Sequence, residues 1–256
     1  MKTPIKDKTR ALKSTAVLKQ MIPRDSVVDS YLFYSGEQEV NLCFSGRKIN
    51  AHTNKEVVYN FWSKALEDSR RLAEMVTSMA RTYSNFQFDR LQSQWAEQKD
   101  PWINAALFFI LNRCSDTGMV SSGTLDISDY EPFSLFYLIN FDKIENFSIS
   151  HCPWEETTAL IQDNTECDYI FVPCSNFSRN LFEYGKNRGV EQPIVLHRDL
   201  RNKLREINKK WIVSYNYHKD LRSFYDKEHS FMIDQYGLIT DTEDKCVEIL
   251  FSNFVS

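Results

Sequence analysis

The sequence predicts a doubly wound α/β sheet interrupted by one mostly helical insertion, and three observations lead there. Tyr169-Ile170-Phe171-Val172 is a continuous apolar run with β-branched and aromatic members. Such a run reads as a strand buried on both faces in the middle of a parallel sheet. Strand and helix signals alternate through residues 1–66 and again through 147–256, which asks for right-handed crossovers. Between them, residues 67–146 carry helical periodicity and then breaker-rich sequence, so the insertion belongs there.

Taken in order, Lys2 to Arg24 is basic, and Leu12 to Met21 is a short amphipathic helix ended by Pro23. Ser26 to Tyr34 is the first strand; Ser35-Gly36 turns into a helix or a second short strand. Arg47 to His52 is the next strand, and Asn54 is placed to N-cap a helix from about Lys55 to Leu66. Leu72, Met75, Val76, Met79 and Tyr83 recur at helical spacing, which marks core. Ala105 to Leu111 is apolar all round and predicts a buried helix ending near Asn112-Arg113. Residues 114–150 hold Gly118, Gly123, Pro132 and several Asp and Ser, an irregular region. Alternation then resumes, with strands at Phe147–Ser150, Tyr169–Val172, Trp211–Tyr215, Ser230–Ile233 and Val247–Phe251. The intervening helices fall at Trp154–Ile161, Leu196–Asn208 and Leu221–Tyr225.

Composition excludes more than it assigns. A net charge of −4 gives no global attraction to nucleic acid, though a local basic groove remains compatible with it. Glycine is scarce, 7 residues in 256, and glycine is what lets backbone approach phosphate or adenosine. No apolar run nears the roughly 20 residues of a membrane span, and the charged N-terminus lacks a signal core. With six cysteines far apart and no CxxC pair, the expected setting is a reducing cytoplasm with free thiols. His151, Cys152, Cys167 and Cys174 match no common zinc spacing, so no metal is expected.

Chemistry is expected in the loop after the central strand. Pro173 cannot donate to a ladder, so the strand should stop there. Loops leaving the carboxyl ends of strands hold the ligands of open α/β sheets. The residues in that place are Pro173-Cys174-Ser175-Asn176, an unusual set for a catalytic loop. Cys174 or Ser175 with His151, His197 or His218 would make a nucleophile and base, but no elbow signature surrounds them.

These features, in this order, resemble the Dam-like class of adenine-N6 DNA methyltransferases, including its compact phage members. The residues that carry the resemblance run nearly the whole chain. Phe108 to Arg113, then four residues, then Gly118, is similar to the family's apolar helix ending in Leu-Asn-Arg before its target-recognition segment. Pro4-Ile5-Lys6 is similar to its opening, and Phe33 with Ser35-Gly36 to its Phe-x-Gly-Gly turn. Asp168 to Val172 is similar to the strand before the catalytic tetrapeptide; Ile212-Val213-Ser214 and Glu248-Ile249-Leu250 have later counterparts. The resemblance implies a Rossmann-like methyltransferase sheet formed by 1–66 and 147–256, with 67–146 as target-recognition insertion. It also implies S-adenosylmethionine as cofactor and flipped adenine as substrate.

The departures are equally ordered. Where the family seats adenine on Asp-Pro-Pro-Tyr, Pro173, Cys174, Ser175 and Asn176 offer neither carboxylate nor stacking ring. Asp168, at the other end of the strand and roughly 13–17 Å away at strand rise, cannot substitute. The positions matching the cofactor signatures, Lys6, Phe33, Ser35, Gly36 and His52, are degenerate. Asp7-Lys8-Thr9-Arg10 replaces the Gly-rich opening, Glu37-Gln38-Glu39 follows the turn, and no carboxylate stands near Ala51-His52 for the ribose hydroxyls. The segment after Arg113 has Asp116 and Ser121 where the family has an aromatic and an Arg.

Joint loss of these groups points to a methyltransferase-like protein without catalysis or cofactor, kept to bind DNA or a protein partner. The alternative is an active adenine-N6 enzyme with divergent motifs that uses S-adenosylmethionine. Candidate nucleic-acid contacts are Asn112, Arg113, Arg198, Arg201, Lys203 and Arg205, with a solvated helix face as the plainer reading of the last four. Trp95, Trp102 and Trp154 are candidate protein anchors.

Overall fold

The computed structural model describes residues 2–8, 10, 12–83, 95, 98–118, 120, 126, 130, 133–141, 144–157, 166–177 and 196–255. Seven strands form one sheet: β1 Val27–Tyr31, β2 Lys48–Thr53, β3 Phe147–His151, β4 Tyr169–Pro173, β5 Lys210–Asn216, β6 His229–Asp234 and β7 Cys246–Ser252. Their spatial order is β3-β2-β1-β4-β5-β7-β6. The first five in that order pair parallel, while β7 runs antiparallel between β5 and β6.

Burial follows the apolar pattern. All five residues of β4 are buried, as a strand covered on both faces requires. Pro173 is itself the last ladder residue, opposite Ser214. The ladder goes one step past the expected stop, because the Cys174 N–H donates to Ser214 O at 2.8 Å. Proline lacks only its own donor, so its neighbour still pairs.

The helices that position the site are α1 Thr15–Met21, α2 Glu37–Cys43, α3 Glu56–Tyr83, α4 Pro101–Cys114, α5 Ser134–Ile139, α6 His197–Arg205 and α7 Leu221–Phe224. The predicted helix after Asn54 begins as expected but continues far beyond Leu66. It is interrupted at Asp68 (φ −159°, ψ 88°), whose carboxylate accepts the Arg71 N–H at 2.9 Å and restarts the helix. Asn54 does not act as the cap: its amide atoms are buried without hydrogen-bond partners, and Thr53 Oγ1 accepts the Lys55 N–H instead. The helix expected at Trp154–Ile161 lies partly outside the described residues.

Helix α4 is entered through Asp100, which accepts N–H groups of Trp102 and Ile103, with Pro101 at the first helical position. Its apolar surface is buried all round, as its sequence requires. Phe61 of α3 lies against Phe108 and Phe109 of α4, with ring centroids at 5.8 and 5.9 Å. The same core cluster reaches Val40 of α2 and Ala51 of β2, so the α3–α4 pair shares its core with the sheet. Two further clusters line the β4–β5–β7 region. No helix among the described residues is long and apolar enough to cross a membrane.

Candidate functional site

Chain order reverses between β1 and β4, since β2 lies on one side of β1 and β4 on the other. The carboxyl ends of these two strands therefore frame the crevice where open α/β sheets hold ligands. Leu32, the residue after β1, has φ 59°, a left-handed conformation that costs a non-glycine residue about 1–2 kcal/mol. Its carbonyl faces a group that fixes it there.

That group is Arg10. Its guanidinium donates to Leu32 O and to Pro173 O, each at 2.7 Å, bridging the ends of β1 and β4. Arg10 Nε lies 3.1 Å from Asp7 Oδ2, and the two side chains are 9% and 0% exposed. Buried charge on this scale persists only where it is paired and hydrogen-bonded. Arg10 meets that condition with two carbonyls and one carboxylate.

The N-terminal segment carrying Arg10 is tied down along its length. The Glu248 carboxylate on β7 accepts the backbone N–H groups of Leu12, Lys13 and Ser14 at 2.6, 2.7 and 2.7 Å, just before α1. Of these, Ser14 is the N-cap of α1, so the carboxylate also faces the start of that helix. Asn112 holds the other end, accepting Lys6 N–H at 2.8 Å and donating to Lys6 O and Gly118 O. The Leu-Asn-Arg-x4-Gly spacing thus closes on itself: Gly118 (φ 91°) sits so close that a Cβ would lie 2.0 Å from Lys6 O.

Cations continue around the crevice wall. Tyr34, after β1, has the Arg10 guanidinium 5.8 Å and the Lys55 ammonium 5.4 Å from its ring centroid. Lys55 is buried just beyond β2, in the neighbourhood where the ribose-binding carboxylate was sought. On α2, Glu39 is fully enclosed and accepts a hydrogen bond from Ser30 Oγ at 2.8 Å. Burial raises its carboxyl pKa, opposed by hydrogen bonds from its own backbone and from Ser30. Gln38 Nε2 donates to Ser14 Oγ, joining α2 to the same N-terminal segment.

Of the positions matching cofactor signatures, Lys6 turns its ammonium to Ser115 O at 2.6 Å. Phe33 and Ser35 are buried, and Gly36 takes φ 70° with Phe33 Cζ 2.6 Å from where a Cβ would stand. His52 stacks on Tyr31 at 4.6 Å and shares a 2.7 Å hydrogen bond with Ser150, so it belongs to the sheet face.

The loop after β4 extends the β5 pairing. Cys174 is 2% exposed, and burial pushes its thiol up to about 12, which removes it as a nucleophile. Ser175 O accepts the Asn216 N–H, and Asn176 Oδ1 accepts from Asn216 Nδ2 at 2.7 Å. The Phe177 ring packs against those of His197 and His218 at 4.8 and 5.5 Å, and His197 Nδ1 lies 3.0 Å from the Tyr215 hydroxyl, which also meets the Cys174 side chain. Among the described residues no group of His, Cys, Asp and Glu could hold a metal ion.

The basic positions scatter in role. Asn112 is fully buried and engaged as above, which leaves it nothing to offer a nucleic acid. Arg201 donates to Phe224 O and lies over that ring at 4.3 Å; Lys203 lies over Trp154 at 4.3 Å. Arg205 pairs with Glu228 at 2.6 Å and Asp226 at 3.1 Å. Arg198 is exposed, and Arg113 is half-buried at the end of α4. The tryptophans offered as protein anchors are not surface groups: Trp95 and Trp154 are buried, and Trp102 is covered by Lys64 and Arg71.

Strand order with an antiparallel β7, and a crevice opposite β1 and β4, define a Rossmann-like class I methyltransferase fold with helical insertions. No family model matches the chain, and no curated protein matches it. Among solved structures, the chain is similar to the O-methyltransferase from Bacillus cereus in complex with SAH. That match has 10% identity and a TM-score of 0.35, over 94% of this chain and 78% of the other. The fold assignment stands on the strand order.

Arg10, Lys55 and Glu248 are the residues that sequence reasoning undervalued. Arg10 registers there only as one of the residues Asp7 to Arg10 that replace the family's Gly-rich opening, although its long side chain must also go somewhere.

Proposed function

We propose that this chain is a catalytically silent relative of the Dam-like adenine methyltransferases, kept for binding, whose own N-terminal segment occupies the cofactor crevice. The observation that carries this reading is the Arg10 guanidinium bridging Leu32 O and Pro173 O. S-adenosylmethionine does not fit the residues present. The Arg10 side chain itself takes up the space between the ends of β1 and β4, with its guanidinium on Leu32 O and Pro173 O and its Nε beside Asp7. Displacing Arg10 would break its hydrogen bonds to two strand-end carbonyls and part it from the buried Asp7 carboxylate, a loss of several kcal/mol. The described residues of the loop after β4, Cys174 to Phe177, include no carboxylate to accept from an adenine amine, and Asn176 Oδ1 accepts from Asn216 Nδ2 at 2.7 Å.

A second reading, an active S-adenosylmethionine-dependent adenine-N6 DNA methyltransferase with divergent motifs, is favoured by one observation. The seven-stranded sheet is complete and Gly36 keeps its left-handed turn after β1, so the frame of a cofactor site persists. Transfer of a labelled methyl group from S-adenosylmethionine to unmethylated adenine-containing duplex DNA separates the two readings. The silent reading expects incorporation at background; turnover abolished by Asn176→Ala would overturn it.

A further inference from the structure

Beside the N-terminal segment lies a cavity of about 570 Å³, lined by Lys2 to Lys8 in part, Glu37, Arg113, Phe133 and Tyr137. Its size falls in the range of small-molecule sites. Two of its walls differ in chemistry. One is cationic, with Lys2 and Lys8 exposed to solvent. The acidic groups on that side are Asp7, which is paired with Arg10, and Glu37.

The other wall is aromatic and open. Phe133 lines the cavity and Phe136 stands beside it at the rim; they are 65% and 56% exposed, and their rings stack at 5.5 Å with an interplanar angle of 17°. Tyr137 meets Phe133 edge-on at 5.7 Å. Two stacked phenylalanines left in water are costly surface unless something covers them. A cationic groove beside exposed aromatic rings is the combination that holds unpaired nucleotides, the rings taking bases and the lysines taking phosphate.

We propose that this cavity binds one unpaired nucleotide, with its base on the exposed Phe133–Phe136 step and its phosphate between Lys2 and Lys8. This deepens the binding role proposed above and rests on it, but it concerns a site apart from the Arg10 bridge. A free nucleoside monophosphate and a nucleotide within a single strand share this chemistry, and the experiment distinguishes them.

The test is fluorescence anisotropy of the full chain with a labelled single-stranded oligothymidylate, competed by AMP, by inorganic phosphate and by the corresponding duplex. The expected result is saturable binding that AMP or unlabelled single strand reverses and that phosphate and duplex do not. Reversal by AMP points to the free nucleotide as ligand; reversal only by strand points to single-stranded nucleic acid. The Phe133→Ala/Phe136→Ala variant should weaken binding about tenfold or more, on the scale of one base–aromatic stack. Lys8→Ala should weaken it less and flatten its salt dependence. Both changes lie at exposed positions, and circular dichroism checks that they leave the fold intact. No binding of strand or AMP, or binding that both variants leave unchanged, overturns the proposal. The outcome is independent of S-adenosylmethionine binding, so failure here and failure of the silent-crevice reading are separate results.

Discussion

The crevice between β1 and β4 and the aromatic rim on α5 lie near the same N-terminal segment, yet they treat polar and apolar groups in opposite ways. In the crevice, a buried arginine has its guanidinium matched by two carbonyls and a carboxylate. On the rim, two phenylalanines stack on each other, meet Tyr137 edge-on and stay more than half exposed. A place whose groups are already satisfied from within the chain has stopped recruiting a ligand. A place where large apolar rings and cations are left outward is one that an external molecule can complete. On the proposed reading, that difference puts the working surface outside the crevice the fold would suggest.

The largest effect that can break this comparison is Arg10→Ala. Removing the guanidinium takes the cation from beside the buried Asp7 carboxylate and the donors from two strand-end carbonyls, and urea unfolding should show a loss of about 3 kcal/mol. Asp7→Asn introduced into the Arg10→Ala chain should return part of that loss, because the orphaned charge is then gone. A crevice that were merely spacious would tolerate Arg10→Ala with little change. Next in size, Glu248→Ala removes the acceptor of three backbone N–H groups, for an expected cost of about 2 kcal/mol by the same measurement.

Buried thiols predict a pH effect of defined sign. Cys43 is pushed up to about 11 and Cys167 and Cys174 up to about 12, each chiefly by burial, from an ordinary value of 9.0. The folded state keeps these thiols neutral, whereas the unfolded chain ionises them near its ordinary value. Their contribution is therefore fully present below pH 9.0 and is lost as pH rises through the folded values. Thermal melts should hold level up to that point on account of these groups and fall above it, and Cys174 should resist alkylation at pH 8 (about one unit below the ordinary thiol pKa) until the chain unfolds. Smallest of all, Phe133→Ala/Phe136→Ala should change stability by no more than about 0.5 kcal/mol, as surface substitutions do. A large loss would mean that the rim is core and not a binding surface.

Much of the fold was legible because its signals are local. The continuous run Tyr169–Val172 and the all-apolar Ala105–Leu111 each admit few placements, and both are buried where expected. Asn54 shows where local signals mislead: the residue type favours an N-cap, but Thr53 already satisfied the N–H of Lys55. The site was legible only as a set of losses. Nothing near Arg10 in the sequence says that its guanidinium spans from Leu32 to Pro173, a closure over 163 residues that depends on sheet order. Likewise Asn112 reads as a candidate contact, and only the folded chain shows it holding Lys6 and Gly118. The basic helix α6 reads as a solvated face with DNA contact as the sharper alternative, and the folded chain brings Glu228, Phe224 and Trp154 to meet Arg205, Arg201 and Lys203.

The central claim is that the crevice is closed by the chain's own arginine. Isothermal calorimetry of S-adenosylmethionine and of S-adenosylhomocysteine against the folded chain tests it most directly. The account predicts no saturable heat for either ligand up to millimolar concentration. Micromolar one-to-one binding, lost on changing Lys6 or Gly36, would contradict it and return the crevice to use as a cofactor site.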